Sequence, residues 1–170
     1  MAKVNIIHKL FASGPLLLLY YLSISEIDTN LEKLFEVFSL NLQIIIIYFW
    51  IIKRPNLMGA GHVFFAGLIN DVVMGFPLGI SSLSYLVICF VGNYVRNKSV
   101  NTTIASDWFT FFIALLLGNL VFFSLLTNFS EVVTSYSKIG YNTFFTLFLF
   151  PVFWIVFNIY QMNFIGSQDA

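Results

Sequence analysis

The stretch "GLINDVVMGFPLG", residues 67–79, sets a carboxylate, Asp71, beside an amide, Asn70, in the middle of an apolar run. If that run lies in hydrocarbon, an ionised carboxylate costs roughly 2.5–3.5 kcal/mol on insertion scales, and more in simulations. The surroundings of Asp71 therefore decide the fold. Composition identifies them. The chain of 170 residues is 59% hydrophobic and 9% charged, with a mean hydropathy of +0.88. A soluble domain carries roughly 25% charged residues. So few polar side chains cannot cover a core of this size in water, and apolar runs close to one bilayer span recur throughout. The expectation is an all-α integral membrane protein, one transmembrane domain over residues 1–170.

Working outward from Asp71, the apolar periods predict a six-transmembrane-helix bundle. Its helices cover residues 6–24, 31–52, 57–75, 80–95, 107–127 and 141–162. The first has a short basic lead, Lys3 and Lys9, and a small-residue pattern at Ser23 and Ser25, but its length and the spans that follow favour a retained helix over a cleaved signal. The second opens on Thr29 and Glu32, which fit a capping box. Leu31, Leu34, Phe35, Phe38 and Leu42 follow at helical spacing. Lys53, Arg54 and Pro55 end it. Pro151 in the sixth predicts a kink packed against a neighbour. Lys3, Lys9, Lys53, Arg54, Arg96 and Lys98 fall on one side of this arrangement and Lys33 and Lys138 on the other. The positive-inside rule then makes both termini cytoplasmic. The formal net charge is zero, so no basic patch points to nucleic acid.

On the third helix Gly59, Val63, Gly67, Asp71 and Gly75 recur four apart, and His62, Ala66 and Asn70 form the adjoining stripe. Small residues at this spacing let another helix backbone approach closely. Three roles for Asp71 follow. It could accept from backbone amides of the turn Phe76, Pro77, Leu78, Gly79 and the start of helix four, where a helix N-terminus favours an anion. It could face a polar group on a partner protein. It could bind a proton or a ligand. Gln43, Asn93, Asn119 and Asn158 read as interhelical hydrogen bonds. Cys89, the single cysteine, reads as a small buried hydrophobe.

There is no HExxH or Cys/His cluster, no nucleophile elbow, no Walker motif and no carboxylate pair within the spans. The sequence therefore suggests no catalytic residues, no cofactor and no metal.

The run over residues 64–88, "FFAGLINDVVMGFPLGISSLSYLVI", resembles the MreD family of bacterial rod shape-determining membrane proteins. The matching positions are Gly67, Leu68, Asp71, Gly75, Leu78 and Gly79, continued by Ser82, Leu83 and Tyr85, with Pro55 after a basic pair before them. Outside residues 55–96 only hydropathy matches. The resemblance implies a non-catalytic part of the cell-elongation machinery of the bacterial inner membrane. It also implies work beside MreC, RodA and its transpeptidase, and the MreB filament, in support of peptidoglycan synthesis. The implied fold is similar to the S-component bundles of energy-coupling-factor vitamin transporters. A transporter binding subunit is thus the rival reading, although the outer loops are short and few polar groups converge. On the MreD-like reading, Gly67, Asn70, Asp71, Gly75, Pro77, Leu78 and Gly79 form the structural and partner-interface set. Asp71 is expected to accept from amides around Leu78, Gly79 and Ile80, fixing a face where a partner helix, MreC's first of all, docks among membrane lipid.

Overall fold

The computed structural model describes residues 12–25, 41–98, 103–129 and 136–165, and these are all-helical, without a strand. Six α-helices follow in order: α1 Gly14–Ile24, α2 Leu42–Lys53, α3 Ala60–Met74, α4 Ile80–Lys98, α5 Ile104–Phe129 and α6 Tyr136–Tyr160, the last running into a π-helical turn, Gln161–Ile165.

Two of them are long and apolar enough to cross a membrane: Ile104–Phe129 and the segment Gly140–Asn163. The all-helical expectation holds among the described residues, while six spans with both termini on one side are not shown. Helices α2 and α3 have 12 and 15 residues, fewer than the roughly 20 that a bilayer asks of one helix. The largest departure lies at the second predicted helix. Asn41 is a non-helical N-cap whose Oδ1 accepts from the Ile44 amide at 3.2 Å, so a continuous helix over residues 31–52 is interrupted there. An asparagine cap satisfies an otherwise orphaned amide and marks a helix start. The Thr29–Glu32 capping box, the basic lead at Lys3 and Lys9, and Lys33 lie outside the described residues. Helix α3 starts later than expected because Leu57 and Met58 turn back onto the Arg54 carbonyl.

Helix α2 is the axis of the bundle. Ile44 through Ile52 are buried without a break, the mark of a helix that is apolar all round and enclosed. It packs on α1, α4 and α6, while α4 also packs on α3 and α5. Phe111 of α5 stacks on Phe150 of α6 with centroids 4.1 Å apart, and the Tyr48 ring of α2 meets both. The outer faces of the long helices carry Phe109, Leu120, Phe148 and Ile155 exposed, an apolar surface that water does not favour.

Pro151 lies inside α6. Proline has no N–H to give the carbonyl four residues earlier, here Leu147. The Trp108 indole N–H of α5 donates to that carbonyl at 3.0 Å. A neighbouring helix thereby restores the bond that the proline removes. Gly118 also marks a close crossing. A Cβ there would lie 2.9 Å from Ile88, and the Ser84 hydroxyl donates to the Gly118 carbonyl at 2.9 Å.

Candidate functional site

Helix α3 ends at Gly75, left-handed at φ 68°. The Phe76 amide donates to the Asp71 carbonyl at 2.9 Å and the Gly75 amide to the Val72 carbonyl at 3.4 Å. That double bond pattern is a Schellman motif, and it favours glycine at its left-handed position. The chain then turns through Pro77 and Leu78 to Gly79, whose φ of 104° again requires glycine. Helix α4 follows at once.

This tight return brings the start of α4 onto the Asp71 side chain. Asp71 is fully buried. Its Oδ2 accepts from the Gly79 amide and its Oδ1 from the Ser81 amide, both at 2.8 Å. The carboxylate thus satisfies two amides at a helix N-terminus, where the backbone dipole also favours negative charge. Bonds of this charge-assisted kind are roughly twice as strong as neutral ones. The donors are Gly79, one of the Leu78, Gly79 and Ile80 group expected from sequence, and Ser81, the residue that follows that group.

Asn70 extends the knot sideways. Its Nδ2 donates to the Ser81 hydroxyl at 3.1 Å, and its Oδ1 accepts from Gln43 Nε2 of α2 at 3.2 Å. The Tyr85 hydroxyl of α4 donates to Gln43 Oε1, and Gln43 Nε2 also reaches Ser23 of α1. The C-terminal ends of α1 and α3 therefore meet the N-terminal ends of α2 and α4. Among the described residues no buried polar atom of this network lacks a partner.

The remaining candidates divide. Gly67 is a true close approach, but its neighbour is in the same chain. A Cβ there would lie 2.5 Å from Ser82 Cα and 2.7 Å from Ser82 N on α4. The face expected to receive a partner helix is filled from within. Gly75 and Gly59, on the same stripe, have nothing within 4 Å of an added Cβ. They cap α3 instead of packing it, because the stripe runs past both helix ends. Leu78 points outward, 71% exposed. Asn119 joins α5 to α6 through Thr143 at 2.8 Å. Among the described residues, Asn93 and Asn158 bond to Cys89 and Met162 of their own stretch and not to another helix. Buried Cys89 has no disulfide. His62, exposed on α3, meets the Tyr20 hydroxyl of α1 at 3.1 Å.

A second buried carboxylate lies at the opposite end of the bundle. Asp107, in the first turn of α5, is 2% exposed. Its Oδ2 accepts from the Trp154 indole N–H of α6 at 2.9 Å, while Oδ1 has no hydrogen-bond partner among the described residues. Lys53, in the last turn of α2, holds its ammonium 5.4 Å from the centre of the Trp154 ring, within range of a cation–π contact. Nearby, the Tyr48 hydroxyl pairs with Thr110 at 2.6 Å. Sequence reading placed Asp107 at a helix boundary and gave it no role. A carboxylate at the edge of an apolar span was the available signal. Ser81 and Tyr85, four apart on α4, could likewise have been read as one polar stripe.

No group of three or more His, Cys, Asp or Glu side chains able to hold a metal occurs among the described residues. The arrangement can lock helices together. It offers no nucleophile held against a base. No protein-family model, curated protein or solved structure matches the chain.

Proposed function

We propose that this chain is a non-catalytic, multi-pass component of the bacterial inner membrane, of the MreD type. It supports peptidoglycan synthesis and rod shape by packing against partner transmembrane helices. The residue order Gly67, Leu68, Asp71, Gly75, Leu78, Gly79 carries the likeness. In the proposal all six helices cross the bilayer in an S-component-like bundle. Lys53, Arg54, Arg96 and Lys98 gather at one end, which the positive-inside rule makes cytoplasmic along with both termini.

The observation that carries a structural role, and not a capturing one, is the closed polar knot at Asp71. Both of its oxygens, both amide functions of Asn70 and those of Gln43 are spent on the protein's own groups. A ligand site keeps a few polar groups directed into a cavity; this network keeps none. Because Gly67 already packs on α4, the proposed contact with MreC uses the outward helix faces.

The test is purification of the tagged protein from its own host in mild detergent, with identification of the chains that accompany it. Recovery of MreC with RodA and its transpeptidase is the expected result. Recovery of ATPase subunits and a membrane coupling protein would instead make the chain a vitamin-transporter binding subunit.

A further inference from the structure

Asp71 and Asp107 are the buried carboxylates among the described residues, and their oxygens are occupied to different degrees. Asp71 spends Oδ2 on the Gly79 amide and Oδ1 on the Ser81 amide. Two N–H donors hold a carboxyl in its charged form, and a proton could reach either oxygen only by displacing an amide. On Asp107, 2% exposed, Oδ2 is taken by the Trp154 indole. Its Oδ1 has no hydrogen-bond partner among the described residues. A proton can add at that oxygen without breaking a bond.

The surroundings suit exchange of such a proton. Asp107 lies in the first turn of α5, and Ile104, Ala105 and Ser106 before it are exposed. The carboxyl is therefore within one helical turn of the end of the bundle. From α2 come Lys53, whose ammonium lies over the face of the indole that Asp107 holds by its edge, and Tyr48, whose hydroxyl pairs with Thr110 in the next turn of α5. From α6 comes Trp154, which does not titrate. On α4, at the same end, Arg96 gives Nη2 to Asn97 at 3.5 Å and Lys98 lies over the Tyr94 ring. Of these cations Lys53 shares the indole with Asp107, and a positive charge so placed opposes protonation of a carboxylate. Ionisable side chains enclosed in membrane helices commonly mark proton-carrying sites.

We propose that Asp107 is a proton-binding site. Its Oδ1 takes a proton from hydronium, leaving water, against the pull of Lys53, while Oδ2 keeps the indole and Asp71 stays a carboxylate. Uptake removes the negative charge that faces Lys53 across the indole and makes that end of the bundle more positive. The site rests on the fold alone, so it stands or falls separately from the partners proposed above.

The test is infrared difference spectroscopy of the full chain in detergent, titrated from about pH 8 to about pH 5. It reads the C=O stretch of protonated carboxyl groups. The chain has 8 acidic residues, so variants assign the bands. One titrating band is expected to be absent from Asp107→Asn and retained in Asp71→Asn. Trp154→Phe keeps the carboxyl and removes its donor, and should raise the frequency of that band. Lys53→Gln removes the opposing cation and should move the midpoint of the band up by about one pH unit. Titrating bands identical in the parent and in Asp107→Asn would overturn the proposal, because a carboxylate kept charged by Lys53 or by a bound cation gains no proton in this range. So would a band lost in Asp71→Asn instead, or a frequency and midpoint unmoved by Trp154→Phe and Lys53→Gln.

Discussion

Asp71 and Asp107 are both buried carboxylates, one at each end of the bundle, and they are held in different ways. Asp71 receives two backbone amides from a hairpin that returns within ten residues. Asp107 receives one side-chain donor, Trp154, from 47 residues away, and its second oxygen accepts nothing among the described residues. The first is part of the local fold of α3 and α4. The second ties α5 to α6, with Lys53 of α2 on the face of the same indole. A buried acid built into a turn and a buried acid shared between helices should respond differently to the same substitutions.

The largest effect is expected for Asp71→Leu. It orphans the Gly79 and Ser81 amides, at about 1–3 kcal/mol for each buried donor, and the protein should fail to accumulate in membranes. Wild-type levels and wild-type thermal stability in detergent would remove the hairpin account. Trp154→Phe strips Asp107 of its hydrogen bond and should cost about 1.5–3 kcal/mol, the range for bonds to a charged group. Chemical denaturation in mixed micelles measures it, and an unchanged midpoint would mean that Asp107 draws its stability elsewhere. Gly67→Ala drives a methyl group into the Ser82 backbone, and overpacking of this kind costs about 1–3 kcal/mol. The same unfolding series tests it; no loss would show that α3 and α4 can part freely. Smallest is Trp108→Phe, which leaves the Leu147 carbonyl at Pro151 without its donor, for about 1 kcal/mol. Faster amide exchange around Pro151 is the expected sign.

These differences also explain what could be read without coordinates. The Asp71 hairpin was legible because its parts are close in the chain. Gly75, Pro77 and Gly79 announce two glycine-dependent turns, and a carboxylate one helical turn upstream is well placed for the next helix start. Gln43, Asn70 and Tyr85 were individually visible, but their meeting was not. Gln43 stands 27 residues from Asn70 and 42 from Tyr85, and hydropathy carries no information about such pairings. The four-residue glycine stripe misled in a specific way. Spacing alone cannot separate Gly67, which packs, from Gly75, which caps. Asn41 is hidden because Leu31, Leu34, Phe35, Phe38 and Leu42 keep a helical spacing across it, although asparagine before an apolar run is a start signal.

The most direct measurement compares Asp71→Asn with Asp107→Asn by thermal unfolding of the intact chain in one detergent. An amide at position 71 can accept from only one of the two backbone amides and turns its own NH2 toward the other. An amide at position 107 keeps the single acceptor that Trp154 uses and removes a buried charge. The account predicts a loss of about 1–3 kcal/mol for Asp71→Asn, with Asp107→Asn clearly smaller. Equal losses, or a larger loss at Asp107, would contradict the claim that the Asp71 carboxylate is the backbone anchor on which the α3–α4 hairpin is built.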